Sequence, residues 1–398
     1  MRKESICILW CLCLLFCGVT ARAQSVGTVV KTVQGNPTLG IVKFSGDAEA
    51  RRILETMLVR CDWFQVLKES QANRGQVQLS VNAASNAYAV TAQVGGDKRV
   101  FRYEASGTDW NDAAAKVTDA LLKELFGVPA LCTRPIVYVM GDGNGKKELY
   151  SCRLDGSAQK RLTHNNAIST EPSWGHSGAL VYTLNQGVAL QILLMDMGKQ
   201  RQRVISSARG LNSSAALSHD GRLVALPLSL GKQVDLYLLD LANGSRRRLT
   251  QDRDVESSPV FSPDNTKLCY VSDRSGRPHL YLQGVNDEKA VRLTRGGSEC
   301  VSPDWSPKSG LICYSTRIQG QYVIAVLDPS KPDQEPLVVT EATGNWEAPS
   351  WAPDGRHIVC TRATGGKQDL YLVDTLLKSF QPLTKGAKLS LPAWAPAR

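Results

Sequence analysis

The chain has 398 residues, with 47 Lys and Arg against 37 Asp and Glu, and its formal net charge is +10. The basic residues are scattered, and the longest run, Arg246–Arg248, is typical of a solvated strand edge. The sequence has no base-stacking motif, and the export signal described next conflicts with nucleic-acid binding. Nucleic-acid binding is therefore excluded.

Residues 1–23 have the three parts of a secretory signal peptide. The basic start Met1–Lys3 is followed by a largely apolar run over residues 6–19, and Ala21–Ala23 fits the cleavage pattern. The apolar run is too short to span a membrane, and the bulky Phe16 before Cys17 argues against lipid attachment. We expect cleavage after Ala23 and a soluble, monomeric periplasmic protein of net charge +8 that does not insert into a membrane.

Residues 24–35 form a short N-terminal arm of small, polar and β-branched residues. Its candidate partner-binding residues are Val26, Val29, Val30 and Lys31. One interpretation is a disordered terminus, because unanchored termini are commonly disordered. The other is an arm that adds as a strand to the sheet of a partner, where main-chain hydrogen bonds supply affinity, or docks on its own domain when no partner is bound.

Residues 36–130 do not follow the repeat described below, and their pattern predicts a small α/β domain. Ile53, Leu54, Met57 and Leu58 share one helical face. The predicted elements are strand 39–44, helix 47–61, strands 63–67, 76–82, 88–94 and 99–103, and a helix from the N-cap Asp109 to residue 125 or 126. Such a domain holds a mixed or antiparallel sheet.

A block of about 44 residues repeats through residues 131–398. Its anchor reads small residue, Pro, any residue, aromatic residue, with one degenerate copy at Ser214–Leu217. The six anchors end at Trp174, Leu217, Phe261, Trp305, Trp351 and Trp394. A regular period of this length, filled with short strands, is typical of a β-propeller. The predicted fold is mainly β, a six-bladed β-propeller preceded by the small α/β domain.

Each repeat predicts four short strands, which is the content of one blade. The strand Ile136–Val139 has no anchor before it, and the anchor Leu391–Trp394 has no strand after it. We therefore expect these two ends of the array to complete one blade and close the ring. Closure removes the exposed sheet edges that invite aggregation, so the C-terminal residues are expected to be structural.

The sequence shows no catalytic or metal-binding constellation. The five histidines fall in different repeats, and His176 and His219 occupy turn positions where other copies have Pro. Gly141–Lys147 resembles a phosphate loop or a calcium loop only superficially, and its Gly and Asn indicate a turn. We expect no enzymatic activity, no cofactor and no metal.

Seven cysteines remain after removal of the signal peptide, and an odd number leaves at least one unpaired. Cys269, Cys313 and Cys360 lie in the predicted second strand of successive repeats. A free cysteine there is expected to pack as a small buried hydrophobic residue.

The remaining candidate site is a surface, formed by the loops that precede the anchors and open on the channel mouth. Loops at one end of a rigid scaffold often carry function, although the alternative is that these are ordinary solvated residues. Trp346 is a good binding anchor if it is exposed. The candidate partner-binding residues of the mouth are Glu171, Asn212, Glu256, Ser257, Glu299, Trp346 and Glu347.

With these residues the chain resembles the TolB family, the periplasmic propeller component of the Tol-Pal envelope system. The resemblance covers essentially the whole chain and rests on the domain order and on strings such as Asn36–Val42, Ser272–Pro278 and Pro392–Pro396. The chain departs from the family in a shorter segment between Leu67 and Tyr88 and in the degenerate second anchor.

The resemblance implies a scaffold without enzymatic activity. In the family, the propeller mouth binds the peptidoglycan-associated lipoprotein Pal, and the extreme N-terminus binds the inner-membrane protein TolA. The system couples the proton gradient to constriction of the outer membrane at division. Two other classes stay open, namely an exported propeller that binds a small molecule or glycan, and a propeller-domain relative of hydrolases that lacks their catalytic domain.

Overall fold

The structure is a computed structural model that describes residues 35–397 apart from 96–98, 176, 188, 209, 231–232, 252, 297 and 387. The predicted signal peptide, the arm residues Val26, Val29, Val30 and Lys31, and the predicted turn role of His176 lie outside the described residues. Within the described ranges, no helix is both long and apolar enough to cross a membrane.

The first part of the described chain is a five-stranded mixed sheet with two helices. The elements are β1 (Thr38–Ser45), α1 (Ala48–Arg60), β2 (Gln65–Val66), a short 3-10 helix (Glu69–Arg74), β3 (Val77–Ala84), β4 (Ala87–Val94), β5 (Arg99–Ser106) and α2 (Trp110–Phe126). The strand order is β2-β1-β3-β4-β5, with β1 parallel to both of its neighbours and the other pairs antiparallel. The elements predicted for this region are present, although the strand expected at 63–67 is only two residues long.

Local capping explains where the helices begin and end. The Asp47 carboxylate accepts a hydrogen bond from the Glu49 N–H, and the Asp109 carboxylate accepts one from the Asp112 N–H at 2.7 Å. These bonds satisfy N–H groups that have no partner inside the first helical turn. Gly127 ends α2 in the left-handed conformation, with φ of 65°.

The rest of the chain is a series of short strands. In chain order they are β6 (Ile136–Gly141), β7 (Lys147–Cys152), β8 (Lys160–Arg161), β9 (Ile168–Trp174), β10 (Ala179–Asn185), β11 (Leu190–Asp196), β12 (Arg201–Ser206), β13 (Ala216–Leu217), β14 (Leu223–Leu228), β15 (Asp235–Asp240), β16 (Arg246–Arg248), β17 (Glu256–Phe261), β18 (Lys267–Ser272), β19 (His279–Gly284), β20 (Ala290–Arg292), β21 (Cys300–Trp305), β22 (Ile312–Ile318), β23 (Gln321–Leu327), β24 (Leu337–Val338), β25 (Asn345–Trp351), β26 (His357–Thr364), β27 (Lys367–Asp374), β28 (Ser379–Pro382) and β29 (Leu389–Trp394).

These strands pair in groups of four, each group antiparallel and in sequence order. Five groups are β9–β12, β13–β16, β17–β20, β21–β24 and β25–β28. The sixth combines both ends of the array, because β29 pairs with β6, β6 with β7 and β7 with β8. Trp394 lies opposite Ile136, which is the pairing that ring closure requires. The pairing is consistent with six blades, while the bounds of the two domains stay a prediction.

The α/β domain packs on one end of the propeller, which we call the domain end. The contacts reach the turns between the first and second strands of two blades, where the Trp63 indole N–H donates to Asp354 at 3.1 Å and Lys308 donates to the Gly127 carbonyl at 3.4 Å. One hydrophobic core runs across the junction and includes Leu131 and Trp394. We call the opposite end of the ring, where the chain enters each first strand, the mouth end.

The free cysteines of the described chain are buried. Cys269, Cys313 and Cys360 are each 0% exposed within second strands, so the prediction of small buried hydrophobic residues is confirmed. Burial raises the pKa of these thiols, which keeps them in the unreactive thiol form. His219 lies in a turn, as predicted, and its N–H donates to the Asn265 side chain at 2.7 Å.

Candidate functional site

The first strand of each blade carries the same backbone irregularity next to the channel. The residue before the anchor proline, or before its replacement Ala215, is a non-glycine residue with φ between 47° and 56°. These residues are Glu171, Ser214, Ser258, Ser302, Ala348 and Leu391. In blades where the pairing continues past this point, the register shifts there, which marks a β-bulge. The bulge accommodates a proline that has no N–H to donate to the ladder.

The six positive-φ residues surround a central cavity of about 240 Å³ that is lined by all six anchors. Within it, the half-buried Asp304 carboxylate accepts a hydrogen bond from the Trp351 N–H at 2.6 Å and so ties two neighbouring blades together. Burial raises the pKa of Asp304 to about 6, although the bond from Trp351 opposes that shift. The channel therefore contains a carboxyl group that changes charge in the mildly acidic range.

Glu171 lies at the mouth end, but its carboxylate is hydrogen-bonded to other residues of the propeller. Its carboxylate accepts hydrogen bonds from the Thr183 hydroxyl at 2.8 Å and from the Ser214 N–H and hydroxyl, both at 2.7 Å. Ser214 belongs to the next blade, so Glu171 joins two blades. Its side chain is half-buried, and its role in binding a partner stays a prediction.

Three of the predicted mouth residues, Asn212, Glu256 and Trp346, are buried, so their placement on an accessible surface was wrong. Asn212 is 0% exposed and accepts from the Ser206 hydroxyl at 2.6 Å. Glu256 is 0% exposed and accepts from Ser272 at 3.1 Å and from Arg274 at 3.2 Å. Both residues satisfy buried polar groups at the start of a blade, which is a structural role.

Trp346 was expected to anchor a partner, and this role requires an exposed side chain. It is 0% exposed and lies within β25 rather than in a loop. Its indole N–H donates to the Glu341 carbonyl at 2.9 Å, and its ring packs edge-on against Tyr371 and Phe380. The Arg362 guanidinium covers the ring at 4.8 Å. Trp346 is therefore part of the core of its blade.

The other predicted mouth residues, Ser257, Glu299 and Glu347, are half-buried and reach the surface. Glu299 accepts from the Tyr322 hydroxyl at 2.8 Å and lies 3.6 Å from Arg317. These three residues and Glu171 are the predicted mouth residues that are not buried. Their partner-binding role stays a prediction.

An arginine that was not predicted from the sequence lies near the end of the second strand in three consecutive blades, at the mouth end. Each guanidinium lies over an aromatic ring of its own blade, in the pairs Arg274 with Tyr281 at 4.6 Å, Arg317 with Tyr322 at 5.1 Å and Arg362 with Trp346 at 4.8 Å. Stacking of this kind orders a cation that is still partly hydrated. The only signal in the sequence is an Arg one or two residues after a Ser or Thr near the end of each second strand.

The mouth end thus carries half-buried Glu side chains, including the partly exposed ion pair of Glu299 and Arg317, around a channel in a ring of antiparallel sheets. These features define the class as a β-propeller with an α/β domain at one end. The matching family is described as the TolB beta propeller domain, and the match covers residues 127–398. The chain belongs to this family.

Two curated relatives align with a smaller part of the chain. The Tol-Pal system protein TolB of Desulfosudis oleivorans is 27% identical over 112 residues, which are 28% of this chain and 25% of that protein. TolB of a Ruegeria species is 30% identical over 113 residues, which are 27% and 26% of the two chains. The aligned part thus spans only about a quarter of the length of these relatives.

The fold as a whole is similar to the solved structure of TolB from Acinetobacter baumannii. The TM-score is 0.81 at 22% sequence identity, and the match covers 91% of this chain and 97% of that chain. At this identity the likeness establishes the shared fold, with the α/β domain and propeller included.

Proposed function

We propose that the chain is a periplasmic scaffold of the Tol-Pal system. Its mouth end binds a Pal-like peptidoglycan-associated lipoprotein, and its N-terminal arm, residues 24–35, binds a TolA-like inner-membrane protein. The scaffold then links the two membranes and serves outer-membrane integrity and constriction at cell division. Membership of the TolB propeller family and the names of the two relatives support this proposal.

The observation that carries the proposal is the position of the α/β domain. It packs on the domain end, through Trp63 to Asp354 and Lys308 to Gly127, and so leaves the opposite end of the ring to a partner. At the mouth end, Glu299 and Arg317 have side chains that are 34% and 48% exposed. Partly exposed charges on a rigid scaffold suit the rim of a protein interface, where they guide association and set its specificity.

The start of the described chain supports a separate site for the second partner. The Asn36 side chain donates to the Asp62 carbonyl at 2.7 Å and accepts from Arg356 at 2.6 Å, so residue 36 is fixed at the junction of the two domains. The point where the arm joins the described chain therefore lies at the domain end. Two partners can bind together because their sites lie at opposite ends of the ring.

The mouth is tested by calorimetry with the soluble domain of a Pal-like lipoprotein. We expect the double variant Glu299→Lys, Glu347→Lys to weaken binding at least tenfold, because reversed rim charges oppose the partner. The matched control is Glu288→Lys, which reverses an exposed charge in a turn at the domain end and should bind as the wild type does. Equal affinity in all three proteins would place the partner elsewhere.

The arm is tested by deletion of residues 24–35. We expect loss of capture by a TolA-like periplasmic domain, with the affinity for the Pal-like domain and the melting temperature unchanged. A truncated protein that still captures the TolA-like domain contradicts the arm hypothesis. If neither partner binds the wild type and a glycan or small molecule does, the scaffold role itself is wrong.

A further inference from the structure

A buried cluster of charged side chains joins the α/β domain to the propeller at the domain end. His357, the first residue of β26, is 0% exposed, and its Nδ1 lies 2.6 Å from Asp354 Oδ2. Its Nε2 makes no hydrogen bond and is buried. This atom faces Asp62 Oδ2 at 3.9 Å and Asp374 Oδ2 at 3.8 Å. Asp62 comes from the α/β domain, and the other residues come from the propeller.

The Asp354 contact determines which imidazole nitrogen is available. A carboxylate at 2.6 Å accepts a hydrogen bond from Nδ1–H, and this leaves the lone pair of Nε2 directed at the two other carboxylates. Metal-binding histidines have this arrangement, in which one ring N–H donates to a carboxylate and the other nitrogen binds the ion. The Trp63 indole N–H also donates to Asp354 and holds that carboxylate in place.

The charge balance of the cluster favours a further cation. Asp62, Asp354 and Asp374 bring three carboxylates together, while Arg356 supplies one guanidinium, which pairs with Asp374 and lies 4.6 Å above the Trp63 ring. Buried carboxylates that lack a compensating charge are costly. A divalent ion at the imidazole would bring the total charge of these side chains to zero.

The donor set identifies the class of ion. One imidazole nitrogen with two carboxylate oxygens suits Zn²⁺, which binds these atoms at about 2.0–2.2 Å and accepts a water as its fourth ligand. A tetrahedral ion with such bonds places its ligand atoms about 3.3 Å apart. The three atoms lie within 4.8 Å of one another, and each carboxylate oxygen needs to approach Nε2 by about half an ångström. The Asp62 side chain is 24% exposed and provides a path from solvent.

We propose that His357, Asp62 and Asp374 bind one zinc ion at the junction of the two domains, with Asp354 positioning the imidazole. The ligands come from both domains, so the ion acts as a crosslink between them. Zinc is expected to raise the melting temperature of the whole chain, since an ion that binds only the folded state stabilises it.

The test uses the mature full-length protein after treatment with a chelator. Calorimetric titration with zinc chloride at neutral pH should show one site, and Co²⁺ in its place should give the visible absorption of a tetrahedral ion. Asp62→Asn keeps the size of the side chain and the main-chain bond to Asn36, and should lose at least tenfold in zinc affinity. The matched control Asp333→Asn, on an exposed loop of another blade, should bind zinc as the wild type does.

A wild-type protein that binds no zinc overturns the proposal without reference to any variant. The same conclusion follows if Asp62→Asn, with an unchanged circular dichroism spectrum, keeps the wild-type affinity, because the ion then binds elsewhere. If the melting temperature responds to pH but not to zinc, a proton on His357 bridges the carboxylates, and the metal site is wrong.

Discussion

The two ends of the propeller ring use charged side chains in different ways. At the domain end, Asp354 and Asp374 are 0% exposed and Arg356 is 11% exposed. At the mouth end, the ion pair of Glu299 and Arg317 is a third to a half exposed. One end is thus a dry junction between two domains, and the other is a partly hydrated surface.

We expect the buried charges of the domain end to affect stability and the exposed charges of the mouth end to affect partner binding. Breaking a buried ion pair leaves an uncompensated charge and costs about 3–5 kcal/mol, whereas an exposed pair contributes about 0–1 kcal/mol. Substitutions at the domain end should therefore change the free energy of unfolding, and substitutions of exposed charges at the mouth end should change association with a partner.

The largest effect should come from removing β29, which spans both ends and closes the ring. Deletion of residues 389–398 removes the buried Leu389 and Trp394 together with their strand, and it leaves β6 as an unpaired strand edge. We expect loss of cooperative unfolding or a much lower melting temperature, measured by scanning calorimetry. The control deletion of residues 397–398 should melt like the full chain. A normal melting temperature without β29 would show that closure is not needed.

Asp374→Ala tests the domain end directly. It leaves Arg356 buried without its carboxylate, and we expect a loss of about 3–5 kcal/mol in the free energy of unfolding, measured by urea titration in the presence of chelator. The matched variant Glu299→Ala at the mouth end should cost about 0–1 kcal/mol. Equal losses in the two variants would remove the distinction between the ends.

Trp346→Ala tests whether the mouth end also contains core residues. Because Trp346 is fully buried, we expect a loss of about 3–5 kcal/mol in stability. Affinity for a Pal-like partner, corrected for the folded fraction, should stay at the wild-type value. A Trp346→Ala protein that is as stable as the wild type but binds the partner weakly would contradict this expectation and would indicate that Trp346 is a binding anchor.

Asp304 lies in the channel between the two ends, and its titration should make the free energy of unfolding depend on pH. Its pKa is raised from 3.8 to about 6, so the folded chain holds a proton that the unfolded chain releases between these pH values. The free energy of unfolding should therefore fall as pH rises from about 4 to 6, by up to about 3 kcal/mol at about 1.4 kcal/mol per pKa unit. Asp304→Asn should remove this part of the pH dependence in urea titrations, and an unchanged slope would contradict the assignment.

Much of the fold could be predicted because its signals are local or periodic. The caps of α2 are set by Asp109 and Gly127, which lie next to the helix they limit. The anchor prolines and aromatic residues mark five of the six blades, and the unmatched strands at both ends of the array indicated the pairing of β29 with β6. The prediction of the candidate surface depended on where each loop ends and each first strand begins, and the sequence pattern does not define these boundaries.

The errors arose where burial depends on strand boundaries and on tertiary packing. The first strand of the last intact repeat begins at Asn345, so Trp346 faces the interior of a blade and not solvent. The buried Glu256 accepts a hydrogen bond from Arg274, which lies in the connection between β18 and β19. The junction cluster brings Asp62 to His357, almost 300 residues apart, and no local pattern indicates such a contact.

Hydrogen–deuterium exchange of the full chain, with and without the soluble domain of a Pal-like lipoprotein, tests the central claim most directly. We expect the partner to slow exchange in the mouth-end segments 254–257, 317–320 and 343–347. Exchange in the turns around Lys308 and Asp354 at the domain end should not change. Protection confined to those turns or to the α/β domain would contradict the assignment of the mouth end as the partner-binding surface.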